Sequence, residues 1–204
     1  MPYQSLMVGE LDTNCYLFYD ESSRDCLVID PGAEGERIAG RIVAAGLLPR
    51  AVVLTHGHPD HAGAAAFLME RFGVPLWLHA ADDAAMRSPA GRGLAVLFDV
   101  EPLPAAGRLL AGGDRVAAGG LELEVIHSPG HSPGSLLLFG QGLLFSGDTL
   151  FCGDVGRTDL PGGSEREMRR SLERIKALPP ATVVLPGHGP ESVLERELAG
   201  NPYL

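Results

Sequence analysis

Short apolar runs, rich in Val, Ile, Leu and aromatic residues and bounded by Gly, Pro, Asp or Asn, recur along the chain: NCYLFY, DCLVID, AVVLT, PLWLH, LELEVIH, SLLLF, LLFSGD and TVVLP. Runs of this length with such boundaries predict β-strands. Tyr16 to Tyr19 and Cys26 to Asp30 flank the polar turn DESSRD, and Val116 and Leu121 flank AAGG, so both pairs predict antiparallel hairpins. Between strands the period changes to that of helices. In EGERIAGRIVAAGLLP, Ile38, Ile42 and Val43 share one face and Gly46 is a stop; AGAAAFLMERFG carries Phe67, Leu68 and Phe72 and closes at Gly73. The most complete helical signal is SEREMRRSLERIKALPP, where Ser164 and Glu167 form a capping box, Met168, Leu172 and Ile175 the stripe, and Pro179 the end. VVLTHGHP from Val52 and VVLPGHGP from Val183 echo one another, each an apolar strand run into a Gly/His/Pro loop. Strands followed by helices in both halves predict an α/β (α+β) chain of two mixed sheets, face to face, with helices on the outer sides.

Composition leaves that picture intact and narrows the functions. A chain of 204 residues suits one domain spanning positions 1–204. With 45% hydrophobic and 21% charged residues it reads as an ordinary globular protein, and no stretch has the apolar length of a membrane span. Acidic residues outnumber basic ones 26 to 16, for a net charge of −10, and no run of Lys or Arg occurs. A polyanion would meet net repulsion, so nucleic acid is excluded as a partner, and a membrane is not expected either. No basic segment precedes an apolar one at the N-terminus, so a cytoplasmic location is expected. Cys15, Cys26 and Cys152 fall at no metal-like or framework-like spacing, which predicts free thiols. Oligomeric state is not legible.

The candidate chemistry lies in loops. LTHGHPDH, Leu54 to His61, places His56, His58, Asp60 and His61 directly after an apolar run, in a chain with seven histidines. Neutral imidazole and carboxylate are ligands that zinc or ferrous iron take. Clustered imidazoles repel once protonated, and a cation that holds them neutral removes the conflict. The same setting, beyond a strand and beside glycine, recurs at His131 in HSPGHSPG, Asp148 in LLFSGDTLF and His188 in VLPGHGP. His79, ending PLWLH, reads as a strand-end residue, and His127 as a supporting one. Covalent catalysis finds little support: Ser146 lacks a Gly-x-Ser-x-Gly elbow and Cys152 has no committed partner.

Together these residues resemble the metallo-β-lactamase superfamily, with its His-x-His-x-Asp-His cluster, later His, strand-end Asp and last His; VIDPG at Val28 to Gly32 is similar to the family's early loop. The resemblance runs from Asp30 to His188 and implies an αββα sandwich with a metal site at one edge between the sheets. It implies His56, His58 and His131 on a first metal, Asp60, His61 and His188 on a second, and Asp148 bridging. The cofactors would be two divalent ions, zinc first, with iron or manganese as alternatives. Asp60 and Asp148 would then stand at the catalytic centre, where metal-activated water attacks a carbonyl carbon.

GRTD, within GDTLFCGDVGRTDLPGG, is similar to the short glyoxalase II-like hydrolases. That likeness implies a small acyl-thiol substrate, a thioester such as S-lactoylglutathione, with Arg157 as a fork for its carboxylate. The alternative pairs Arg157 with Asp154 or Asp159 at the surface. A domain without the C-terminal helical extension of full-length glyoxalase II is expected, and GP follows His188 where those enzymes place an aromatic residue. The same motifs resemble the glutathione persulfide dioxygenases, which implies a rival: a single iron held by His56, His131 and Asp148. Lactonase activity and a non-catalytic metal module are weaker alternatives.

Overall fold

Strands that are apolar on both faces need cover on both sides, and the computed structural model provides it in four layers. It describes residues 2–204; Met1 lies outside them. In chain order the elements are β1 (Tyr3–Val8), β2 (Thr13–Tyr19), β3 (Asp25–Ile29), α1 (Gly35–Ala44), β4 (Leu48–Val53), α2 (Pro59–Ala62), α3 (Ala65–Phe72), β5 (Leu76–His79), α4 (Ala80–Met86), α5 (Pro89–Leu97) and β6 (Arg108–Leu110). There follow β7 (Arg115–Ala118), β8 (Leu121–His127), β9 (Leu136–Gly140), β10 (Leu143–Gly147), the ribbon β11 (Leu150–Phe151) with β12 (Asp154–Val155), α6 (Glu165–Lys176), β13 (Val183–Pro186), β14 (Ser192–Val193) and α7 (Leu194–Gly200). One sheet runs β1-β2-β3-β4-β5-β6, antiparallel at first and parallel from β3 onward; the other runs β14-β13-β10-β9-β8-β7, with only β10 and β13 parallel.

The period of two sorts each strand between layers. In β3, Leu27 and Ile29 point between the sheets, where they join Tyr16, Phe18, Val53, Phe145 and Leu185. Cys26 and Val28 point the other way, onto Ile38 and Ile42 of α1 and Leu68 of α3. In β9, Leu136 and Leu138 face the first sheet while Leu137 meets Met168, Leu172 and Ile175 of α6. Each such side chain, removed from water, contributes about 1.5–3 kcal/mol.

All eight predicted runs are strands, both predicted hairpins form, and α1, α3 and α6 lie where their patterns put them. Ser164 caps α6 by accepting from the N–H of Glu167. Val43 is a correction: it is 60% exposed, because it stands one residue past Ile42 and so turns off the Ile38/Ile42 face. Among the described residues no helix is long and apolar enough to cross a membrane.

Candidate metal centre

Three strands end at the same edge of the sandwich. Beyond the C-terminal ends of β4, β10 and β13 lie His56, Asp148 and His188, and the β8–β9 loop brings His131 beside them. Open α/β sheets place ligands beyond the carboxyl ends of their strands. His58 sits at the N-cap of α2, Pro59 takes its first turn, and Asp60 and His61 follow on the same short helix. Three overlapping groups result, His56/His58/His131, His56/His61/Asp148 and Asp60/His61/His188, and within each the ligand atoms lie within 4.8 Å of one another. All seven side chains named from the sequence as ligands therefore meet at one place. Close approach limits the neighbours: a Cβ on Gly187 would stand 2.2 Å from Asp148 Oδ1 and 2.6 Å from His61 Cε1.

Outward hydrogen bonds settle which imidazole nitrogen faces inward. His131 Nδ1 lies 2.8 Å from the Arg157 carbonyl and His188 Nδ1 2.9 Å from the Leu11 carbonyl. A carbonyl only accepts, so each Nδ1 carries a hydrogen, and in the neutral ring each Nε2 presents its lone pair. Asp30, nearly fully buried, does the same for His61, whose Nδ1 is 3.0 Å from its carboxylate. The same carboxylate accepts the Thr55 N–H at 2.7 Å and hydroxyl at 2.6 Å. That hydroxyl, its hydrogen committed, accepts in turn from His56 Nδ1 at 3.1 Å. Four lone pairs thus converge. His61 Nε2 and His188 Nε2 face each other at 3.2 Å, and His131 Nε2 lies 2.8 Å from His58 Nδ1. His56 Nε2 and Asp148 Oδ1 are buried without any hydrogen bond, although His61 Nε2 lies 3.3 Å from the latter. Inward lone pairs and an orphaned carboxylate oxygen are what a bound cation requires, so the donor set fits divalent metal.

Electrostatics divide the cluster. Burial first, and then the neighbouring imidazoles, holds His56 far below the usual histidine range, and burial with His131 brings His58 down to about 4. On the other side burial is overcome: Asp148 and Asp30 raise His61, and Asp60 and Asp148 raise His188. Burial likewise opposes, but His188 and His61 outweigh it, in bringing Asp60 down to about 2. Positive charge is favoured beside the carboxylates and neutral donors beside His56, an arrangement in which metal and protons compete for the same lone pairs.

Several contributors carry no sequence signal as ligands. Leu11 and Arg157 act through backbone carbonyls, which any residue supplies. Asp30 was legible only as part of VIDPG. The Arg157 side chain turns outward, 63% exposed, and makes a bidentate pair with Asp159, with both contacts at 2.7 Å. Ser146 is buried, its hydroxyl donating to the Leu150 carbonyl, and His79 and His127 stack on each other with ring centroids 4.2 Å apart, outside the cluster. A cavity of about 420 Å³ borders Gly57 and Pro59 of the ligand loop and is walled by Leu76, Met86, Val96 and Leu103.

The family model described as the metallo-beta-lactamase superfamily matches residues 8–188. The chain is 36% identical to "Probable metallo-hydrolase YqgX" of Bacillus subtilis, over 100% of this chain and 98% of that one. It is 32% identical to "Hydroxyacylglutathione hydrolase GloC" of Haemophilus influenzae, again over 100% and 98%. Among solved structures it is similar to BLEG-1 B3 metallo-beta-lactamase (TM-score 0.92, 34% identity, 99% of both chains) and to TTHA1623 in a di-iron-bound form (TM-score 0.89, 38% identity, 98% of this chain and 100% of that one). ETHE1 from Myxococcus xanthus follows at a TM-score of 0.83 and 28% identity, over 99% of this chain and 84% of that one.

Proposed function

The chain belongs to the metallo-β-lactamase superfamily, and on that premise we propose that it is a metal-dependent hydrolase that cleaves an acyl-thiol thioester of the S-lactoylglutathione kind. The observation that carries the metal part is the pair of facing nitrogens, His61 Nε2 and His188 Nε2, whose hydrogens are committed on the opposite side of each ring. The hydroxyacylglutathione hydrolase of Haemophilus influenzae, matched along nearly its whole length, supports the thioester part.

His56, His58 and His131 would hold one divalent ion, Asp60, His61 and His188 the other, and Asp148 would face both. Ions bound there supply Lewis acidity towards a carbonyl oxygen and water of lowered pKa, at about 7. The chain's own residues do the rest. Asp30, Leu11 and Arg157 keep His61, His188 and His131 oriented and Thr55 does the same for His56, so little reorganisation is needed as the reaction proceeds. The leaving thiol, with a pKa of about 8.5, departs as thiolate with little need of a proton donor. The cavity beside Gly57 and Pro59 offers space for an apolar substituent, and Arg157 would grip a substrate carboxylate by exchanging it for Asp159.

A persulfide-oxidising centre with a single iron held by His56, His131 and Asp148 is the second reading, favoured by the likeness to ETHE1. The two separate in one paired assay on protein of measured metal content: S-lactoylglutathione hydrolysis against oxygen uptake on glutathione persulfide. Thioester turnover without oxygen uptake is the expected result. Oxygen uptake without thioester turnover would overturn the hydrolase.

A further inference from the structure

The loops that carry His56, His58 and His131 come from different sheets, and a helix that supplies no ligand holds them in register. Near the start of α4, Asp82 is 1% exposed. Its Oδ2 accepts the Gly57 N–H at 2.7 Å and the Ser132 hydroxyl at 2.7 Å, and its Oδ1 accepts the Gly134 N–H at 2.6 Å. Gly57 lies between His56 and His58, and Ser132 follows His131. One carboxylate therefore spans both loops, and all three of its partners are neutral donors. The fit is close: a Cβ on Gly134 would stand 2.5 Å from Asp82 Oδ1, so only glycine lets that loop descend onto the carboxylate. A second link runs parallel to the first. His79 caps α4 by accepting the Ala81 N–H at 3.1 Å, and its ring stacks at 8° on that of His127, whose Nε2 meets the Pro133 carbonyl at 3.0 Å.

A buried carboxylate met only by neutral donors is a costly way to hold two loops, because desolvation of the charge is repaid only in part. Its placement gives it a use. Asp82 makes no hydrogen bond to a candidate ligand imidazole, yet each of its hydrogen bonds ends on a residue beside one or, at Gly134, within the same loop. We propose that Asp82 is a positioning residue that fixes the spacing of His56, His58 and His131 and so sets the affinity of that three-histidine group for a divalent ion. The proposal rests on reading the cluster as a metal site. It goes beyond that reading in assigning control of one of the two groups to α4.

The test uses chelator-stripped protein titrated with Zn²⁺ in competition with a chromophoric chelator. Two backgrounds isolate the groups: His188→Ala, which leaves the three-histidine group, and His58→Ala, which leaves the Asp60/His61/His188 group. Asp82→Asn keeps the volume but sets an amide NH₂ against an N–H donor. It is expected to weaken zinc about 10- to 100-fold in the His188→Ala background and less than about threefold in the other. Unchanged affinity in both backgrounds, or equal losses in both, would overturn the proposal. Ser132→Ala removes one of the three donors and decides the matter where Asp82→Asn does not fold: a smaller loss confined to the same background supports the proposal, and no loss overturns it. Failure of both parent backgrounds to bind zinc at all would instead bring down the metal-site reading itself, and this inference with it.

Discussion

Asp148 is the most exposed to test of the seven proposed ligands, since one of its oxygens has no hydrogen bond and both groups approach it. Asp148→Ala should reduce the bound metal from two ions per chain to one or fewer and lower thioester hydrolysis at least about 100-fold, measured by elemental analysis beside the assay. The candidate ligands were legible in the sequence because a ligand must offer a lone pair from its own side chain, a requirement only a few residue types meet. Leu11 and Arg157 act through carbonyls, and Asp82 stands in ADDA beside Asp83, an acid that pairs with Arg87 on the surface. Nothing in the one-dimensional pattern separates those two aspartates. Glu197 offers a pH test away from the cluster. Burial opposes its ionisation, but hydrogen bonds from Ser192, the Gly153 N–H and Asn201 prevail and lower its pKa. A lowered folded-state pKa contributes stability above the unfolded value, about 4.3, that is lost as pH falls through the folded one. Thermal melting from pH 7 to 3 should therefore show a smaller acid loss in Glu197→Gln than in the parent.

Helix α6 closes the outer face of the second sheet, and two substitutions separate its local and tertiary contributions. Ser164→Ala removes the cap and should cost about 1 kcal/mol. Leu172→Ala, opening the contact with Leu137 and Leu144, should cost about 2–5 kcal/mol, both read from urea unfolding. The difference reflects where helical stability comes from, and it also explains which elements were legible. Strands covered on both faces read as unbroken apolar runs, and α6 shows a full stripe. By contrast, α5 has no buried residue and α4 buries only Asp82, so neither has an apolar period to find. Strand β1 buries Leu6 and Val8 but leaves Met7 58% exposed, an alternation too short to stand out.

The two sheets meet in a shared core, and at their edge the candidate ligands come from both. Asn14 donates its N–H to the Gly187 carbonyl at 2.8 Å and Leu136 to the Thr55 carbonyl at 2.8 Å, so backbone links already bridge the sheets there. Metal binding would add to those links, and a ligand that binds only the folded chain stabilises it by mass action. Restoring zinc to stripped protein should raise the melting temperature, whereas adding it to His56→Ala, which lacks a ligand of the shared group, should raise it less. In the proposed centre, five imidazoles and two carboxylates hold a pair of divalent ions. Native mass spectrometry of stripped protein re-equilibrated with micromolar zinc reads this directly. The predicted result is a species two zinc ions heavier than the stripped chain, absent from Asp148→Ala. A chain that stays metal-free, or that takes up the same zinc with Asp148 removed, would contradict it.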